Sequence, residues 1–253
     1  MNELIICDLA DGVLTLTLNR PDKLNALTNV MYSRLADLFF SAGEDPGIRA
    51  ILLTGGTQNF TSGNDLHDFL KSPPSDLDSP AFRFMRSVID LKKPLVAAVC
   101  GAAIGIGTTL LLHCDYVVVS RDAKLRMPFV NLGLCPEFGA SLLLPKVLGH
   151  ARTAQLLLLG ESLAGEKAVE WGLANEVLAS NEQCLASARQ VVNRFLAFNP
   201  ASLHQSKRLL KRADVQQLRE TIREENLLFI ELLKSEETRE LLRAMLQRSS
   251  RKS

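Results

Sequence analysis

The chain has 253 residues, 47% of them hydrophobic, and a formal net charge of +1 at pH 7. That length and apolar content suffice for one full core with an appendage, and the near-neutral charge argues against a nucleic acid or a membrane surface as the main partner. The five cysteines Cys7, Cys100, Cys114, Cys135 and Cys184 are scattered without CxxC spacing, which fits free thiols in a reducing compartment better than a disulfide framework.

At the start of the chain, Asn2, Glu3 and Asp8 interrupt any basic-then-apolar leader, and no apolar run approaches the length of a membrane span. The basic end Ser250-Arg251-Lys252-Ser253 lacks the Ser-Lys-Leu address, and a cytoplasmic location is expected. Residues 4–9 and 13–18 flank Asp11-Gly12 and predict a β-hairpin. A polar loop from Asn19 to Leu27 precedes a helix capped by Thr28 and running to about residue 42. Ala50-Ile51-Leu52-Leu53-Thr54 reads as a buried strand ending at Gly55-Gly56, followed by an Asn/Ser/Gly-rich loop over 57–65. The prolines and serines of 71–80 predict a flexible excursion, and Phe82, Met85, Val88 and Ile89 then form one helical face.

Lys93-Pro94 opens the stretch around which the chain is organised. Leu95 to Val99 is too short for a helix and reads as a buried strand. Gly101, Gly105 and Gly107 then lead into a helix at Thr108–Leu112. A helix start carries unpaired N–H groups and the positive end of a dipole, so it suits a developing negative charge, while tight strand-to-helix packing would use the same glycines. Tyr116–Val119 and Leu125–Met127 read as strands, Ser141–Leu148, 150–158 and 165–171 as helices, and 175–178 as a short strand. From Glu182 the pattern becomes helical throughout (182–198, 201–212, 215–233, 236–246), with more apolar stripe than a tail could bury alone. The runs Lys207-Arg208 and Lys211-Arg212 read as solvated helix face, or one of them as a contact for a ligand phosphate.

The two Gly-bearing loops, 57–65 and 101–107, form an oxyanion hole if they converge, each N–H contributing on the order of 3 kcal/mol. A third loop, Gly133 to Ser141, holds the lone carboxylate Glu137 between Leu134 and Phe138, where desolvation would make it a stronger base; capping the next helix is a compatible role. His113-Cys114-Asp115 is no relay, because neighbours in extended chain face opposite ways. His67 is either a surface residue or a second polar catalyst.

Gly101-x-x-Ile104-Gly105-x-Gly107 with Cys114-Asp115, preceded by Ser62-Gly63-Asn64-Asp65-Leu66 and followed by Pro128 and Gly133-x-x-Pro136, resembles the crotonase (enoyl-CoA hydratase/isomerase) superfamily. The likeness runs from Leu18-Asn19-Arg20-Pro21 to Trp171-Gly172-Leu173-Ala174. It implies an α/β fold, a crotonase-like spiral of ββα units over residues 1–195, with a helical C-terminal trimerisation region over 196–253. It also implies an acyl-CoA substrate, a homotrimer or hexamer, no metal, and no permanently bound cofactor, coenzyme A entering as part of the substrate. By position the oxyanion amides would be those of Ser62 and Ile106. Coenzyme A would contact Lys23, Ala26, Phe60, Gly63, Asn64, Asp65 and Leu66, with Gly105, Phe129 and Leu132 nearer the acyl group. Phe69, Phe82, Met85 and Phe138 are acyl-chain contacts or plain core.

Hydratases of this superfamily resemble one another in carrying two glutamates, and those places here hold Thr109 and Phe129. Glu137 instead sits where the peroxisomal-type Δ3,Δ2-enoyl-CoA isomerases carry a single acid/base glutamate. The resemblance therefore implies an isomerase moving a 3-enoyl-CoA double bond to the 2-position in fatty-acid β-oxidation. Hydration or other crotonase chemistry, and a catalytically silent acyl-CoA-binding protein, are the rival readings.

Overall fold

The computed structural model describes residues 3–250, so the basic end Arg251 to Ser253 lies outside the described residues. Asp11 and Gly12, at φ 50° and 82°, supply the turn twist an antiparallel pair needs, and β1 (Ile5–Ala10) pairs with β2 (Val13–Leu18). β3 (Ala50–Thr54) and β4 (Leu95–Val99) add to that sheet in parallel. The chain then leaves it for β5 (Ala102–Ile104), returns as β6 (Tyr116–Ser120), leaves again for β7 (Lys124–Arg126) and β8 (Ser162–Ala164), and returns as β9 (Glu176–Leu178). The two sheets, ordered β1-β2-β3-β4-β6-β9 and β5-β7-β8, are thus visited in turn, which winds the chain into a spiral.

Helices fill the crossings: α1 (Asn29–Glu44), α2 (Leu66–Lys71), α3 (Pro80–Asp90), α4 (Ile106–Thr109), α5 (Ala140–Leu148), α6 (His150–Leu158), α7 (Gly165–Glu170) and α8 (Asn181–Leu196). The side-chain period of two sends Leu95, Ala97 and Val99 toward α1 and α3, and Val96 and Ala98 toward Ala188 and Val192 of α8. Strands buried on both faces need the uninterrupted apolar runs seen at 50–53 and 95–99. Thr28 Oγ1 accepts from Met31 N at 3.3 Å and starts α1 as expected.

α9 (Pro200–Lys211), α10 (Val215–Lys234) and α11 (Glu236–Ser250) follow α8. α10 and α11 bring Ile222, Phe229, Leu233 and Leu242 into the same core as α1 and α3, whereas α9 leaves Leu209 and Leu210 exposed. No helix among the described residues is long and apolar enough to cross a membrane.

Three expectations need correction. The glycine-rich stretch is not one turn: β5 intervenes, paired with β7, so the next helix begins at Ile106 rather than Thr108. Three-residue strands whose partners lie far along the chain leave no periodic signature, and β8 escapes notice for the same reason. Of the segment 71–80, Lys71 ends α2 and Pro80 begins α3, and residues 72–79 are irregular but pinned, with Ser79 Oγ accepting from Ser75 N at 3.1 Å and Arg86 bonding Leu77 O at 2.6 Å and Asp78 at 2.8 Å. Lys207, expected on a solvated face, is buried and donates to Lys93 O at 2.7 Å and Asp115 Oδ2 at 2.5 Å.

Candidate active site

The two glycine-bearing loops do converge. Thr61 N donates to Ala102 O at 2.9 Å and Ile104 N to Thr61 O at 3.0 Å, which lays the loops side by side in extended register. Gly63 closes the contact: at φ 88° its missing Cβ would stand 2.7 Å from Ile104 O, so only glycine satisfies both the dihedral and the approach.

Peptide orientation decides which amides are free. Ser62 N donates to Leu24 O at 2.9 Å, so the expected Ser62 donor is already committed. Gly63 O accepts from Leu27 N at 2.8 Å, and across a trans peptide the Asn64 N–H must point the other way. It makes no hydrogen bond to the described residues. Nor does the N–H of Ile106, the first residue of α4. The unpaired N–H groups flanking the loops are therefore those of Asn64 and Ile106 among the described residues, a shift of two residues on one side from the sequence expectation.

Beside these amides lies a cavity of about 110 Å³. Of the expected contacts it gathers Ser62, Gly63, Asn64, Leu66, Gly105, Phe129 and Leu132. Phe69 also lines it, whereas Phe82, Met85 and Phe138 are core. Phe60 is another correction, a fully buried core residue whose amide bonds Cys100 O at 2.8 Å. Asp65 likewise turns from the cavity, capping α2 through His67 N and Asp68 N, both at 3.0 Å, and pairing with Arg20 at 2.5 Å. Burial opposes its ionisation, but those partners hold its carboxyl below the usual range. Lys23 is exposed and Ala26 buried on the loop bordering Ser62, whose Oγ donates to Lys23 O at 3.3 Å. His67 is exposed. Ile104, Pro128, Leu134, Phe229 of α10 and Met245 of α11 complete the lining; nothing local in the helical tail marks the last two.

Glu137 stands behind Asn64, 2% exposed. The Asn64 side chain faces its carboxyl and favours the charged form, while Oε1 has no partner among the described residues. Burial, then the charge of Glu225, push the Glu137 carboxyl up to about 8, with the Asn64 side chain opposing. Its side chain does not cap α5, where Gly139 occupies the capping position. That end is held by Glu225 of α10, which accepts from Gly139 N at 2.6 Å, Ser141 N at 3.0 Å and Ser141 Oγ at 2.5 Å. On the other side His113 donates from Nε2 to Phe138 O at 2.7 Å, its ring stacked 4.0 Å from that of Phe138. Burial pushes the His113 imidazole down to about 3, so it stays neutral. Phe138, at φ 62°, is a non-glycine residue in left-handed backbone directly after Glu137, strain that this double clamp sustains. Asp115 is occupied by Leu95 N and Lys207, so the three adjacent residues form no triad.

Two free amides beside a small apolar cavity, backed by one desolvated carboxyl, suit proton transfer next to a thioester carbonyl. The sequence matches the family described as enoyl-CoA hydratase/isomerase over residues 8–251. The chain belongs to that family. Among its enoyl-CoA hydratase/isomerase relatives, the Escherichia coli protein named 1,2-epoxyphenylacetyl-CoA isomerase is 41% identical, over 79% of this chain and 78% of its own length. The E. coli 2,3-dehydroadipyl-CoA hydratase is 31% identical over 98% and 97%. The solved structure of Pseudomonas aeruginosa OdaA superposes with a TM-score of 0.95 at 52% identity, over 96% of this chain and 99% of that one. The α/β spiral with its helical tail is thus a crotonase-like fold, and the chain is an enzyme of the crotonase superfamily, with acyl-CoA hydratase/isomerase chemistry.

Proposed function

We propose that the protein is a single-carboxylate acyl-CoA isomerase that moves a 3-enoyl-CoA double bond to the 2-position. The observation that carries this reading is that Glu137 is the one carboxyl beside the amides left with a free oxygen among the described residues, its buried neighbour Glu225 being committed to Gly139 and Ser141. Among the described residues no carboxylate lines the cavity itself, Glu137 standing behind Asn64, and the positions where hydratases hold glutamates carry Thr109 and Phe129, both buried. Hydration needs one group to activate water and a second to deliver a proton, whereas an allylic shift needs one that does both in turn. In this reading the Glu137 carboxylate takes a proton from C2, the electrons move into the thioester carbonyl, and the resulting enolate oxygen rests on the N–H groups of Asn64 and Ile106. The protonated carboxyl then returns the proton at C4 as the double bond forms between C2 and C3.

Lys23 is proposed as a contact for the phosphates of coenzyme A, and fatty-acid breakdown as the setting. Exposed Leu209, Leu210, Leu227 and Leu228 on α9 and α10 support assembly as a trimer or hexamer. Incubating purified protein with 3-hexenoyl-CoA, while following conjugation in the ultraviolet, tests the reading. Turnover lost in Glu137→Gln supports it; absent turnover, or turnover unchanged in that variant, removes it. A second reading rests on the rings of Phe69, Phe129 and Phe229 around the cavity, which favour a flat or cyclic acyl group like that in the name of the E. coli isomerase. Preference for 1,2-epoxyphenylacetyl-CoA over 3-hexenoyl-CoA would favour it.

A further inference from the structure

One residue bonded to Asn64 stands in the core and does not line the cavity. Tyr32 lies on α1, 1% exposed and packed against Phe84 with ring centroids 5.6 Å apart. Its Oη–H donates to Asn64 Oδ1. Asn64 thus stands between two groups, its carboxamide holding the Tyr32 hydroxyl and facing the Glu137 carboxyl, while its own N–H is unpaired among the described residues.

A carboxamide has two faces, one accepting and one donating, and the bond on one side fixes what the other side offers. With Oδ1 taken by the phenol, Nδ2 is turned toward Glu137, which suits an ionised carboxylate. In the reversed orientation Oδ1 would confront that carboxylate, and two acceptors would repel. We propose that Tyr32 is a positioning residue for the base: its buried hydroxyl locks the Asn64 carboxamide so that one Glu137 oxygen is held and the other stays free for the acyl group. This rests on the isomerase reading in taking Glu137 as the base. Burial, and then the charge of Glu137, push the Tyr32 phenol well above its usual range, so it remains a donor throughout the working pH. The other titratable groups around Glu137 are Glu225 from α10 and Cys135 from its own loop; His113 faces the neighbouring Phe138 and stays neutral.

The test titrates full-length protein carrying ¹³C at the glutamate carboxyl carbons, without any acyl-CoA, so the outcome does not depend on which substrate is correct. The Glu137 signal is identified by its absence in Glu137→Gln. Tyr32→Phe, which keeps the ring in the core, is expected to raise the Glu137 midpoint by about one pH unit, because a bond favouring the charged form is lost. Asn64→Ala is expected to raise it similarly, and adding Tyr32→Phe to that variant to move it no further, since Tyr32 acts through Asn64. Asn64→Ala leaves the α1 packing intact and carries the test if Tyr32→Phe does not fold. A midpoint unchanged by either single variant, or moved further in the double variant, overturns the proposal.

Discussion

Replacing Glu137 with glutamine should abolish turnover and stabilise the protein, by an amount set by pH. Burial raises the Glu137 carboxyl from 4.5 to about 8. Below pH 4.5 the side chain is protonated in both folded and unfolded chains, and the proton costs nothing. Between 4.5 and 8 the unfolded chain releases the proton while the folded chain keeps it, so wild-type stability falls as pH rises. Above 8 both have released it and the penalty is constant. At 1.36 kcal/mol per unit, the 2.5 units between 4.5 and 7 are worth about 3 kcal/mol, and the full 3.5 units about 5 kcal/mol. Glutamine has nearly the same shape and no charge to desolvate, so the variant escapes this penalty. Glu225 is common to both proteins and cancels to first order. Urea unfolding of wild type and Glu137→Gln at one protomer concentration, at pH 5, 7 and 9, reads the gap directly. It should be a fraction of a kcal/mol at pH 5, about 3 at pH 7 and about 5 at pH 9. A gap that does not change with pH, or that favours wild type as pH rises, refutes the reasoning.

Under the proposed isomerase mechanism the same ionisation governs the rate. Because the base must be deprotonated to start, log kcat/KM for 3-hexenoyl-CoA should rise with unit slope below pH 8 and level off above it, as a stopped-flow pH series would record. Glu225→Ala strips the acceptor from Gly139 N, Ser141 N and Ser141 Oγ; denaturation should show a loss of about 3 kcal/mol, and the acidic limb of the rate profile should move down because a like charge is gone. Gly63→Ala drives a methyl group against Ile104 O at positive φ. Steady-state kinetics should show kcat reduced by about 10²-fold or more, as for a lost oxyanion donor.

What could be read from the sequence was what local chemistry fixes. Asp11-Gly12 announces its hairpin, Thr28 its helix, and the apolar run at 95–99 its strand, because each signal lies within a few residues of its effect. The glycines mark the two converging loops, and Glu137 stands out between Leu134 and Phe138. Side chains working across long separations were invisible. Glu225 reaches Gly139 from 86 residues away, Lys207 reaches Asp115 from 92, and Tyr32 reads as an ordinary helix residue until the fold brings Asn64 to it. The exchange of Ser62 for Asn64 as donor has a similar origin. Which N–H is free depends on Leu24 and Leu27 accepting and donating alongside, and no motif spacing records which way a peptide plane faces.

The most direct test is a crystal structure of the protein with an unreactive 3-thia-acyl-CoA bound. The account predicts the thioester oxygen between the amides of Asn64 and Ile106, and one Glu137 carboxylate oxygen about 3 to 3.5 Å from the positions of both C2 and C4. An acyl group lying elsewhere, with Glu137 still sealed behind Asn64 and out of reach of either carbon, would contradict it.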